Sequence, residues 1–186
     1  MAVDIPDEVK KAIAEFIATL KGACGRQPGI RWARVEGMHV TLKFVGEAAP
    51  ERVEKIKAAL AEVRSAQAVE LRFRETGFFP NARHPRVFWA GIEASENLAE
   101  VAAEVEQRLD KIGIAREKRA FKPHLTLARF KPEEGVAELH AALAKMSAAE
   151  FGAARSGELH LYQSVLKPGG AEYTRLETFR FAGEMR

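Results

Sequence analysis

The sequence predicts a mixed α/β chain of two related lobes. Three observations carry that reading. Stretches with apolar residues at helical spacing alternate with stretches of period two. No linker is rich enough in Pro, Gly or Ser to mark a flexible boundary, so one domain spans residues 1–186. And one strand-plus-helix unit occurs twice, as "MHVTLKFVGEAAPERVEKIKAAL" and "PHLTLARFKPEEGVAELHAALAKM".

From Pro6 to Lys21, Val9, Ile13, Phe16, Ile17 and Leu20 form one apolar stripe. Pro6 suits a first helical turn, and Asp7 and Glu8 favour the positive helix end. "GACGRQPG" breaks the chain, and 38–45 alternates as a strand. Pro50 opens a second helix with Val53, Ile56, Leu60 and Val63 on one face. "VELRFRE" (69–75) and "RVFWAGIE" (86–93) are strands. Ser95 is a candidate cap for a helix over 96–112, striped by Leu98, Val101, Val105, Leu109 and Ile112. A strand over 124–130 follows, and Pro132 opens a fourth helix carrying Val136, Leu139, Leu143 and Met146. "GELHLYQSVL" and "EYTRLETFRF" are strands joined by a turn at "KPGG". The expectation is four helices and about seven strands, with the duplicated strands meeting between two lobes.

Composition excludes several classes. The chain has 186 residues, 47% hydrophobic and 30% charged, which is ordinary for a globular protein. No apolar run approaches the roughly 20 residues of a membrane span. The N-terminal stretch "MAVDIPDEVKK" lacks signal-peptide architecture, and Cys24 is the one cysteine, so a cytoplasmic protein is expected. The net charge of +3 does not by itself imply nucleic acid. The densest basic stretch is more telling. Arg116, Lys118, Arg119, Lys122, Arg129 and Lys131 surround the second motif against the single acid Glu117, which points to an anionic ligand.

The repeat carries the chemistry. Side chains two apart on a strand share a face, roughly 6.5 to 7 Å from one another. His39 and Thr41 therefore point one way, with Val40, Leu42 and Phe44 toward the core. His124 and Thr126 do likewise, opposite Leu125 and Leu127. With 5 His, 6 Thr and 14 Leu in the chain, one His-x-Thr-Leu would arise by chance in roughly one such sequence in a hundred, and two far less often. A single copy would read as a histidine on a solvent-facing strand. Two imidazoles near neutral pKa supply an acid and a base, and two hydroxyls can donate to a tetrahedral anion. A phosphodiester needs that set and no metal or cofactor. Lys43 shares the face of His39 and is a weaker phosphate-binding candidate. Arg129 is another, although strict alternation puts it on the leucine face unless the strand bulges. Tyr162 and Ser164 share a face with His160 and can line the cleft. Trp32, Phe78, Phe79 and Trp89 read as core, with an aromatic at the cleft edge able to stack a base. His84 and His140 read as structural.

At these motifs the chain resembles the 2H phosphoesterase superfamily. It is most similar to the RNA 2',3'-cyclic phosphodiesterase family, historically called 2'-5' RNA ligases. "RWARVEGMHVTLKFVGE", "FPNARHPRVFWAGIE", "FKPHLTLARF" and "LYQSVLKPGGAEYTRLETF" fall in the family's order and cover nearly the whole chain. The resemblance implies a bilobal α/β (α+β) fold of mainly antiparallel sheets around a central cleft, helices outside. It implies hydrolysis of a 2',3'-cyclic phosphate at an RNA 3' end to a 2'-phosphomonoester, with His39 the proton donor, His124 the proton acceptor, and Thr41 and Thr126 on the phosphate. RNA with such an end, or a cyclic nucleotide, is the expected partner, and a monomer the expected unit. The same site run in reverse would join RNA through 2'-5' linkages, and a non-catalytic RNA-end binding module is a further alternative. Members usually begin with a strand of the type Arg-x-Phe-x-Ala. Here only "MAV" precedes Asp4, so either the start codon is assigned late or that strand is stunted, and weaker packing of its sheet is expected.

Overall fold

In a computed structural model of the chain, residues 1–131, 134–167 and 170–182 are described. They form, in order, β1 (Ala2–Asp4), α1 (Asp7–Cys24), β2 (Ile30–Trp32), β3 (His39–Thr41), α2 (Pro50–Leu60), β4 (Val69–Phe79), β5 (Val87–Ala94), α3 (Asn97–Lys111), β6 (His124–Phe130), α4 (Val136–Leu143), β7 (Glu150–Ser156), β8 (Glu158–Lys167) and β9 (Gly170–Arg180). The strands build two antiparallel sheets, one of four strands in the order β3-β1-β8-β9 and one of five in the order β2-β6-β5-β4-β7. Strand, helix and strand follow one another from β3 through α2 to β4 and again from β6 through α4 to β7, as the repeat predicts.

All four expected helices form. The stripe of α1 is buried at Val9, Ile13, Ile17 and Leu20, and α1 packs against α4 and β7. Pro50 stands in the first turn of α2. Ser95 does not cap α3 with its side chain. Its hydroxyl instead accepts the Glu70 N–H at 2.8 Å, which ties α3 to β4, and only its carbonyl takes the Leu98 N–H. Pro132 and residues 168–169 of the expected "KPGG" turn lie outside the described residues. Helices and sheets share one continuous core, in which Phe73, Phe88, Leu125, Leu127 and Leu139 are fully buried. Each such side chain contributes about 1.5 to 3 kcal/mol by leaving water.

Three strands escape a pattern reading. β1 has three residues, yet it lies inside the four-stranded sheet, with Ala2 and Val3 fully buried. β2 is equally short, and β7 buries only Phe151 along its length, so neither shows period two. β3 is the converse case. Alternation predicts a strand over 38–45, and the ladder closes at Thr41.

Candidate active site

The early end of β3 determines which residues face the site. β1 pairs with β3 as Asp4↔His39, Val3↔Val40 and Ala2↔Thr41. Paired residues share a face, so Asp4, His39 and Thr41 lie together while Val3 and Val40 are both at 0% exposure beneath them. Beyond Thr41 the chain no longer alternates. Lys43, expected beside His39, is instead buried at 7% exposure. Its ammonium donates to Glu106 Oε2 and to the Ala115 carbonyl, both at 2.7 Å. It is a structural ion pair and leaves no charge for a ligand. Phe44, expected in the core, is 76% exposed for the same reason, while Leu42 is buried as expected.

β8 and β9 wall the His39 side. β8 pairs with β9 as His160↔Thr178, Tyr162↔Arg175 and Ser164↔Tyr173, and His160 lies opposite Ala2 of β1. The Tyr162 ring stacks on His39 with centroids 5.1 Å apart and planes 6° from parallel, and Tyr173 meets the same imidazole edge-on at 4.8 Å. Behind them the Tyr162 hydroxyl donates to Asp4 Oδ1 at 2.6 Å, and Arg175 donates to Asp4 and to the Tyr162 oxygen. Buried His160 bonds Thr178 Oγ1 through Nδ1 at 2.9 Å. Burial pushes the His39 pKa below the usual histidine value, and Asp4 and the Gly37 backbone oppose that shift without cancelling it. Burial pushes His160 down as well, and pushes Tyr162 up, helped by its bond to Asp4.

The second motif sits on β6, within the five-stranded sheet. His124 lies opposite Gly91, Thr126 opposite Trp89 and Ala128 opposite Phe88, with a register shift between the last two pairs that leaves Leu127 as an extra residue. Leu125, Leu127, Ala128 and Phe130 are buried, and Arg129 is exposed. The bulge reverses the alternation, and Arg129 shares the face of His124 and Thr126. The strand thus meets the condition on which its candidacy depended. His124 Nδ1 lies 2.7 Å from the Lys122 carbonyl. A carbonyl can only accept, so Nδ1 carries the proton and Nε2 of the neutral ring keeps a free lone pair. Phe79 packs edge-on against His124 at 5.0 Å and reaches Trp89 at 5.3 Å. Both aromatics line this face, and Phe78, half-buried, packs against Phe88 of the core. Gly77 makes room for Trp89: a Cβ there would fall 2.2 Å from the indole ring.

β3 and β6 come within 8 Å of each other, Cα to Cα, which brings the two motifs together from different sheets. Of the weaker candidates, Tyr162 joins the site and Trp32 does not; Trp32 lies under the Lys21 ammonium at 5.9 Å. His84 is exposed on its loop, and His140 donates from Nε2 to the Ala82 carbonyl at 2.9 Å. Within the basic stretch, Arg116 and Arg119 pair with Asp110 and Glu117. Asp4, Tyr173 and Arg175 are neighbours of His39 that the sequence did not single out; their only signal is the His39-bearing strand and the partners it selects. Among the described residues no group of three or more His, Cys, Asp or Glu is placed to hold a metal ion, and no helix is long and apolar enough to cross a membrane.

A model of the 2'-5' RNA ligase superfamily matches residues 8–166. The RNA 2',3'-cyclic phosphodiesterase of Methanocaldococcus jannaschii is 33% identical over 173 residues, covering 93% of this chain and 94% of that protein. The protein of the same name from Archaeoglobus fulgidus is 33% identical over 179 residues, covering 96% and 97%. Among solved structures, TT0787 of Thermus thermophilus superposes with a TM-score of 0.79 at 29% identity, covering 99% of this chain and 97% of that one. E. coli LigT complexed with 3'-AMP shares the fold, with a TM-score of 0.77 at 22% identity over 97% of this chain and 95% of its own.

Proposed function

The chain belongs to the 2'-5' RNA ligase superfamily, and from that premise we propose that it hydrolyses 2',3'-cyclic phosphodiester ends of RNA to 2'-phosphomonoesters. His39 and His124 are the acid and base of this reaction. Nε2 of His124 takes a proton from water as the water oxygen bonds to phosphorus. The phosphorus–O3' bond breaks, and protonated His39 delivers a proton to O3'. Thr41 and Thr126 donate to the non-bridging oxygens, where negative charge accumulates. Arg129 adds a cation on the same face. No step calls for a metal or cofactor. Both histidines come from one chain, so a monomer suffices, and an RNA substrate suits a cytoplasmic setting.

The observation that carries the reading is the tether from His124 Nδ1 to the Lys122 carbonyl. It leaves Nε2 free on the face that Thr126 shares, beside the strand that bears His39. The depressed pKa of His39 makes its protonated form a stronger acid toward the leaving alkoxide. A bound anionic phosphate would raise that pKa and load the proton.

The test is an oligonucleotide ending in a 2',3'-cyclic phosphate, incubated with EDTA and resolved by phosphorus NMR or mass. The expected product is a 2'-phosphate, lost in His39→Ala and in His124→Ala. An intact cyclic end with measurable binding would leave a binding module. A 3'-phosphate product would overturn the assigned roles, and a joined product on addition of a 5'-hydroxyl RNA would reveal the reverse reaction.

A further inference from the structure

Strand β2 pairs with β6 as Ile30↔Phe130, Arg31↔Arg129 and Trp32↔Ala128. Arg31 therefore stands directly beside Arg129, on the face that also bears Thr126 and His124. Both arginines are exposed. Among the described residues neither has an ion-pair partner. Two other strand arginines, Arg74 and Arg180, each have a carboxylate within reach. Like charges directly opposite on an antiparallel pair are destabilising, so two unneutralised guanidiniums side by side form a standing demand for an anion. Arg presents a planar fork of donors that matches phosphate oxygens. The Leu127 bulge brings Arg129 to this face, and the Ala33 N–H, bonded to the Leu127 carbonyl at 2.8 Å, holds β2 against the bulge. Beyond Arg129 the same row continues through Val87 to Phe79, the ring that packs against His124.

We propose that Arg31 and Arg129 form a second anion subsite that takes the phosphodiester on the 5' side of the terminal ribose. Arg129 lies between the motif and the edge strand, and Arg31 extends the positive row one strand farther. A substrate with only the cyclic phosphate leaves Arg31 unoccupied. A substrate with one more phosphate fills it. The subsite makes the protein a reader of RNA ends in preference to free cyclic nucleotides. This inference rests on the hydrolytic reading above.

The experiment compares three substrates with one terminal nucleoside: its 2',3'-cyclic phosphate, the same compound with a 5'-phosphate, and a dinucleotide ending in it. The second adds a charge without a base, which separates phosphate recognition from base stacking. In the wild-type protein the 5'-phosphate is expected to raise kcat/KM roughly tenfold or more, the scale of a hydrogen-bonded contact to a charged group. Arg31→Ala is expected to bring the ratio of the two kcat/KM values close to one, and to reduce the salt slope for the dinucleotide by about one. Its thermal midpoint is expected to stay level or rise, because a like-charge pair is relieved. A wild-type ratio near one, or a ratio that Arg31→Ala leaves intact, overturns the subsite while hydrolysis itself stands. A dinucleotide that alone is favoured points to base stacking and equally overturns it. A wild-type protein inert on all three overturns the hydrolytic reading, and the subsite falls with it.

Discussion

The two motif strands carry the same four-residue frame and hold its histidine in different ways. His39 is clamped by rings: Tyr162 lies flat on it, Tyr173 meets it edge-on, and the Asp4–Arg175 pair fixes Tyr162 from behind. His124 is fixed by one hydrogen bond from Nδ1 and one ring edge. The fourth residue after each histidine differs as sharply. Lys43 dives into the structure to meet Glu106, whereas Ala128 follows a bulge that turns Arg129 outward. A duplicated motif can therefore place two like groups in one site while their surroundings set them apart. On the His39 side the polar set is spent on orienting an imidazole. On the His124 side it is left open, with cations free for a ligand.

The largest effect should come from the pair itself. His39→Ala and His124→Ala should each lower kcat/KM by roughly 10²- to 10⁴-fold. If acid and base work in one step, the double variant should fall little below the slower single variant; full additivity would break the shared-step account. Next comes Lys43→Ala. It takes the cation away from Glu106, which keeps the Glu117 N–H, and the donor away from the Ala115 carbonyl, and should cost about 3 kcal/mol of unfolding free energy in urea titration, because removing one partner of a buried pair leaves the other charge unpaired. Activity per folded molecule should hold, and a selective rise in KM at unchanged stability would restore Lys43 as a ligand.

A smaller effect separates the two clamps. Tyr162→Ala should lower kcat up to about tenfold through loss of the ring stack. Tyr162→Phe keeps the stack and should recover most of that loss. Phe79→Ala should cost less than Tyr162→Ala, because the Nδ1 tether still aligns His124. An equal loss at both positions would remove the distinction between ring-held and bond-held histidines. The smallest effect is on pH dependence. His39 and His160 have native pKa values below the unfolded value of about 6.5. At mildly acidic pH the unfolded chain binds more protons than the native one. Their stabilisation is present above about pH 6.5 and is lost as pH falls through the lower native values. The thermal midpoint should drop across that window, and less so in His160→Asn. NMR titration should place His39 below the ordinary histidine value of about 6.5, and inorganic phosphate should raise it.

Much of this was written in the chain. The helices were legible because each buries a stripe at 3.6-residue spacing, and that spacing survives any tertiary context. The His-x-Thr frames were legible because the pair lies at the start of a strand, where alternation holds. Arg129 was legible only as a condition, since whether Leu127 bulges depends on its register against Phe88 and Trp89. Lys43 and Phe44 were misplaced because alternation was extended past Thr41, the last paired residue of β3. β1 and β2 are three residues each, too short for any period to register, and their place is decided by the strands they pair with.

By itself the sequence determined the composition of the proposed site: two imidazoles and two hydroxyls on two strands, each anchored by aliphatic neighbours. Those assignments depend on contacts between residues one or two apart, which local geometry enforces. Tertiary structure decided everything that depends on residues far apart in the chain. It brought Tyr162 and Arg175 against Asp4 and His39, drew Lys43 inward to Glu106, and set Arg31 beside Arg129. Such pairings follow from sheet order and register, and no window of sequence contains both partners.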